Sequence, residues 1–206
     1  IGNVYKHLSN FPKALKYYEM SLEINRDIGN QNSELKSLNN IGLIYNTLYN
    51  YPKALEYFEL SLEIRMELGD RKSECALLGD IGNVYGHLYN FPKSLEYSEK
   101  SLVIAREIGD REGECTILNN IGIIYGNLGE EEKELEYYEK ALLLAEETGD
   151  KQNVARAYNN IGSLYRDQEK RAKAIYYFEK SLAILVDIEY KLSIPFVLNN
   201  IGALYL

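Results

Sequence analysis

Leu38, Ile41, Tyr45 and Leu48 stand three, four and three residues apart, which places all four on one face of a helix. Asn50 interrupts that face, and Pro52 starts a second helix at a first-turn position where its missing N–H costs little. Leu55, Phe58, Leu62 and Leu68 carry the apolar stripe onward until Gly69-Asp70 stops it, glycine being suited to the left-handed residue after a helix. The unit so defined is a helical hairpin.

The same hairpin recurs along the chain. Ile-Gly stands at 1-2, 41-42, 81-82, 121-122, 161-162 and 201-202, each followed by a tyrosine (Tyr5, Tyr45, Tyr85, Tyr125, Tyr165, Tyr205), a period of 40 residues without a slip. The second-helix residues Tyr17, Tyr57, Tyr97, Tyr137 and Tyr177 keep the same step. Self-similarity at a fixed period of this length signals a stacked array, in which each unit buries its apolar face on its neighbours. The pattern predicts first-type helices at 32–48, 72–88, 112–128, 152–168 and 191–206, with a remnant at 1–8. Second-type helices are predicted at 12–28, 52–68, 92–108, 131–148 and 171–188, making eleven helices and no strand. We expect residues 1–206 to form a single array, cut within a repeat at both ends and belonging to a longer protein.

Leu38, Ile41-Gly42, Tyr45, Ala54, Phe58 and Ser61 occupy the spacings of the tetratricopeptide signature, and the chain therefore resembles that family over its whole length. The long repeat is similar to those of kinesin light chains, LGN-like polarity adaptors and bacterial peptide-sensing regulators. The resemblance implies an all-α, right-handed superhelical solenoid of antiparallel helical hairpins, with Gly42 and Ala54 permitting close helix approach and Tyr45 and Phe58 filling the space around them. Four positions depart from the pattern: Glu134 replaces the small residue of the Ala54 phase, Ser98 the aromatic, Glu189-Tyr190 the Gly-Asp stop, and Pro195 falls at the phase of Leu35. Pro195 fits only if the last helix has barely begun there or is bent.

Composition narrows the function. A net charge of −8 supplies no basic footprint for nucleic acid, and no run of 18 apolar residues is present to span a bilayer. Cys75 and Cys115 share a phase in adjacent repeats, too far apart for a disulfide, and read as small buried fillers suited to a reducing, cytoplasmic setting. His7 and His87 lack a third ligand at metal spacing, and without strands there is no phosphate loop. No catalytic set, metal or cofactor is expected, so the chain reads as no enzyme. Of the 19 tyrosines, most fall at apolar phases and belong to the core, whereas Tyr49 and Tyr89 stand at a turn and should be exposed. Glu19, Glu23 and Asp27, like Glu59, Glu63 and Glu67, form acidic rows that read as a solvated outer face.

The informative polar feature is Asn39-Asn40, which returns as Asn119-Asn120, Asn159-Asn160 and Asn199-Asn200, with Gly79-Asp80 as the exception. Asparagine is a poor mid-helix residue, so its persistence asks for a use. By resemblance, the Asn39 phase lies on the concave groove lined by the first helices. There Asn39, Asn119, Asn159 and Asn199 would pair with the backbone of an extended peptide, each carboxamide being both donor and acceptor. The second asparagines, Asn40, Asn120 and Asn160, are expected to bond internally to neighbouring loops. The same mapping adds Asn3, Lys36 and Asn46, then Asn83 and His87, then Asn127, Arg156 and Arg166. A lysine at the Asn39 phase, which one subclass uses to hold C-terminal carboxylates, is missing from every copy. The expected function is a protein–protein interaction scaffold binding a protein or extended peptide, with no nucleic acid or membrane partner. Two alternatives are head-to-tail self-association through uncapped ends (Leu198, Ile201, Leu204 and Leu206) and a sensor domain of a larger signalling protein.

Overall fold

A computed structural model describes residues 1–205, and among them it contains eleven α-helices and no strand. They are α1 (Gly2–His7), α2 (Phe11–Asp27), α3 (Gln31–Thr47), α4 (Tyr51–Leu68), α5 (Arg71–His87), α6 (Phe91–Glu107), α7 (Arg111–Asn127), α8 (Glu131–Thr148), α9 (Lys151–Asp167), α10 (Arg171–Asp187) and α11 (Ile194–Gly202). The chain divides into two compact units, Ile1–Ser101 and Leu102–Leu206, the division falling inside α6.

Local chemistry explains the punctuation. The side chains of Asn30, Asp70, Asp110 and Asp150 each accept a hydrogen bond from the backbone N–H three residues on, satisfying a donor that the helix start leaves open. The glycine before each cap closes the preceding helix, as Gly69 does at φ 67°. Asn10, Asn50 and Asn90 cap the second helices in the same way. Between first and second helices the left-handed position is filled by Ser9, Tyr49, Tyr89, Gly129, Glu169 and Glu189. Tyr49 and Tyr89 are 77% and 81% exposed, as the turn phase predicts.

Packing follows the repeat in each unit. In the first, Ala14, Tyr18, Leu22, Leu38, Ile41 and Ile44 form one cluster, and Ala54, Phe58, Leu77, Ile81, Val84 and Tyr85 another. In the second, Ala155, Ala174, Phe178, Leu185 and Val197 pack together. The close approach is quantitative: a Cβ on Gly42 would lie 2.5 Å from the Phe58 ring, on Gly122 2.5 Å from Tyr138, and on Gly162 2.7 Å from Phe178. The tyrosine series stack in pairs, Tyr5 on Tyr17 and Tyr45 on Tyr57 in the first unit, Tyr125 on Tyr137 in the second. Lys13, Lys53 and Lys133 lie over the first ring of each pair, a cation–π contact at a constant phase. Tyr205 differs from its series in being 66% exposed. The acidic rows on α2 and α4 are exposed throughout.

The departures each have a local answer. Ser98 replaces the aromatic opposite Gly82, and its Oγ takes the place of the ring, 3.0 Å from where a Cβ would stand. The last first-type helix begins at Ile194 and not at 191, because Lys191–Ser193 form a turn and Pro195 sits in the first helical turn. It also ends at Gly202, short of the expected 206. Leu198 is 48% exposed, Ile201 and Leu204 pack on the Phe178 cluster, and Leu206 lies outside the described residues.

Glu134 is accommodated because its neighbour has no side chain: a Cβ on Gly126 would lie 2.7 Å from the Glu134 carboxylate. Burial raises its pKa, against a hydrogen bond from the Tyr138 hydroxyl that lowers it, with Asp167 and Glu131 adding to the rise. A carboxyl whose folded pKa is raised contributes stability that is present below its unfolded pKa and lost as pH rises through the folded one. Glu134→Gln keeps an acceptor for Tyr138 and removes the charge. We therefore expect the variant to match the native protein in thermal stability at acid pH and to exceed it increasingly as pH rises above the ordinary carboxylate range. Parallel melting-temperature curves across pH would show that the Glu134 charge is not strained.

Candidate peptide-binding face

Within the first unit, the predicted residues occupy the first helices α1, α3 and α5. Asn3, Lys36, Asn83 and His87 are exposed, and Asn39 and Asn46 are half-buried. Asn3 and Lys36 line one cavity of about 400 Å³ together with Ser33, Ser37 and Asn40, and Asn3 accepts a hydrogen bond from the Tyr18 hydroxyl. Lys6 on α1 donates to Asn40 on α3 at 3.2 Å, and Asn40 donates in turn to the Lys36 carbonyl. His87 stacks on Tyr51 with ring centroids 5.5 Å apart.

Within the second unit, the residues come from α7, α9 and α11. Asn127 is exposed and donates to its own Ile123 carbonyl. Arg166 pairs with Asp167 at 2.9 Å and reaches the Asn200 carboxamide at 3.5 Å. Arg156 is exposed and forms no ion pair among the described residues. It shares a cavity of about 230 Å³ with Asn159, Gln152, Tyr190 and Phe196.

The asparagine doublets form a ladder whose rungs are 41 residues apart. Asn160 donates through Nδ2 to Asn119 Oδ1 at 3.1 Å, and Asn200 does the same to Asn159 Oδ1 at 3.1 Å. The second asparagine of one repeat thus holds the first asparagine of the repeat before it, not a loop. Asn119 is 1% exposed, unlike the open groove residue that resemblance implied, because its Nδ2 also donates to the Cys115 carbonyl and both ends of the carboxamide are spent internally. Asn159 is half-buried and Asn199 exposed. Asn39 forms no hydrogen bond among the described residues, and Asp80, which takes the place of the second asparagine in α5, has a pKa raised by burial. The doublet recurring at a constant period carried the signal for these rungs, since the two members of a doublet place residues i and i+41 side by side in stacked repeats.

Cys75 and Cys115 are free and buried, their thiols facing the Ser101 and Ala141 carbonyls. Burial pushes the Cys115 thiol up to about 11, which suits a filler and not a nucleophile. Among the described residues, no group of three or more His, Cys, Asp or Glu side chains is placed to hold a metal ion, and no helix is long and apolar enough to cross a membrane.

Stacked antiparallel hairpins with a glycine under each aromatic ring, repeated in both units, define a helical repeat protein. The tetratricopeptide repeat family matches the chain over residues 1–67, 73–142 and 135–185. This chain belongs to the tetratricopeptide repeat family. No curated protein matches the sequence at a significant level.

Solved structures share the fold. BtubC (BKLC) from P. vanneervenii is 22% identical, with a TM-score of 0.80 over 95% of this chain and 83% of its own. The signal transduction ATPase with numerous domains (STAND) from Pyrococcus horikoshii, which carries a tetratricopeptide repeat sensor, is 24% identical with a TM-score of 0.82; all of this chain is covered and 31% of that one. A Rap protein complexed with competence and sporulation factor is 16% identical, with a TM-score of 0.67 over 100% of this chain and 62% of its own.

Proposed function

We propose that this chain is a non-catalytic interaction scaffold that binds an extended peptide, or an extended segment of a partner protein, along the first-helix faces of its repeats. The observation that carries the reading is the spare hydrogen-bonding capacity at one phase of those helices. Asn39 and Asn199 have no internal partner among the described residues, and Asn159 has its oxygen engaged by Asn200 while its two N–H donors stay free. A peptide backbone presents donors and acceptors at regular intervals, so carboxamides at a regular phase suit it whatever its side chains are. Lys36, Asn83, His87 and Arg156 add exposed polar groups to the same helices. Family membership supports the reading, as does likeness to a Rap protein solved with a bound factor.

The test is affinity capture from the source-cell lysate, comparing the native chain with an Asn39→Ala, Asn159→Ala, Asn199→Ala variant. Asn119 is left alone because it is buried. Each lost hydrogen bond contributes about 1 kcal/mol, so a partner held by all three should weaken by roughly a hundredfold and drop out of the capture. The variant's helical circular dichroism should be unchanged. Identical captures with an intact fold would move binding to another surface. Recovery of the chain itself would instead favour self-association, for which Leu192, Phe196 and Leu198 at 85%, 62% and 48% exposure supply an apolar surface.

A further inference from the structure

The geometry points to a carboxylate-binding pocket at the last complete hairpin, in which Arg156 receives the carboxylate of a bound peptide and Phe196 receives its apolar flank. The pocket exists because the repeat breaks its own pattern there. Elsewhere the first turn of a first-type helix covers the start of the one before it. In the last hairpin Lys191–Ser193 are a turn, and Pro195 stands, exposed, where other copies place Leu35 or Cys115. A cavity of about 230 Å³ is left between the N-terminal half of α9, the end of α10 and the start of α11.

Its lining selects a ligand class. Arg156 is the one charged residue of the wall, and it forms no ion pair among the described residues, in a chain whose net charge is −8. Guanidinium presents donors in a planar fork and has no acceptor, which matches a carboxylate and repels a cation. Asn159, one turn along the same helix, is fixed by Asn200: with its oxygen already accepting at 3.1 Å, it can turn only N–H groups toward a ligand. Gln152, four residues before Arg156, has an uncommitted carboxamide that supplies further donors. The opposite wall is apolar, built by Leu185 and by Phe196, which is 62% exposed. Donors on one side and an aromatic face on the other fit a carboxylate attached to an apolar stem, and the volume holds about one peptide residue.

This inference rests on the peptide-binding reading and adds the chemistry that would anchor the peptide at one end. Its test needs no natural partner. The arginine Nε–Hε and Asn side-chain amide signals of the isotope-labelled protein are followed during titration with N-acetyl-leucine, with the N-acetyl-leucine amide, and with N-acetyl-aspartate blocked as its α-methylamide. A saturable shift at Arg156 and Asn159 is expected with a carboxylate probe, and one weaker by roughly tenfold or more with the leucine amide. Response to N-acetyl-leucine alone assigns the pocket to a peptide C-terminus, response to the blocked aspartate alone to an internal acidic residue, and response to both to either source. Arg156→Gln should abolish the carboxylate preference, and Arg156→Lys should retain part of it; both side chains are solvent-facing, so circular dichroism should not change. Equal responses to the acid and the amide, no saturation by about 50 mM, or unaltered carboxylate binding to Arg156→Gln would overturn the assignment. None of these outcomes bears on Asn39 or Asn199, so the pocket and the asparagine face can fail separately.

Discussion

Phe58→Ala is expected to destabilise the first unit by about 3–5 kcal/mol, the range for emptying a fully buried aromatic site. The ring is 0% exposed and packs among Ala54, Leu77, Ile81 and Val84. It also lies directly over Gly42, where even a methyl group would stand 2.5 Å from the ring. Gly42→Ala alone should therefore cost about 1–3 kcal/mol through overpacking. In the Phe58→Ala background the added methyl enters vacated space, and the two costs should combine to clearly less than their sum. Urea unfolding of the two single variants and the double variant measures this directly. Because repeat arrays can open unit by unit, amide exchange in α3 and α4 should accompany it, with protection lost there first. Additive costs would mean that Gly42 is present for a reason other than the ring.

Asn119→Ala is expected to cost about 1–3 kcal/mol, with Asn39→Ala and Asn199→Ala within about 0.5 kcal/mol of the native protein. All three occupy one phase of the repeat, so propensity alone would make alanine an improvement at each. The difference is contextual. Asn119 is 1% exposed, and removing it strips the Asn160 Nδ2 of its acceptor in a part-buried place. Asn39 and Asn199 leave no partner behind. Thermal melts of the three single variants decide the matter: a uniform small effect would mean that the asparagine ladder is not structural, and a uniform large effect that none of the series is free for a ligand.

The helices were legible in the sequence because a 40-residue repeat states its instructions many times over. Apolar steps of three and four, an asparagine or aspartate before each first helix, and proline near the start of several second helices are short-range signals, and each resolves to within about two residues when read in register. The core was legible for the same reason, since Gly42, Ala54 and Phe58 recur as a set in which a small residue is useful only if a ring lies over it. Even the irregular end was visible, in a proline that a helix interior does not accept.

The candidate site was legible only as a phase. A recurring asparagine announces that a carboxamide is wanted at each turn of the array, but not whether water, a ligand or another asparagine takes its hydrogen bonds. That depends on which residues from the neighbouring repeat arrive within about 3 Å, and contacts of that kind have no signature shorter than the repeat itself. The fold of each hairpin was determined by local propensity and by apolar periodicity, which act within a helix and its immediate partner. Tertiary stacking decided that Asn119 would be closed while Asn199 stayed open, that Gly126 would make room for Glu134, and that the turn before Pro195 would leave a cavity beside Arg156. Each of these turns on the side chain one repeat away, where a single substitution changes the surroundings without disturbing the pattern that made the helix.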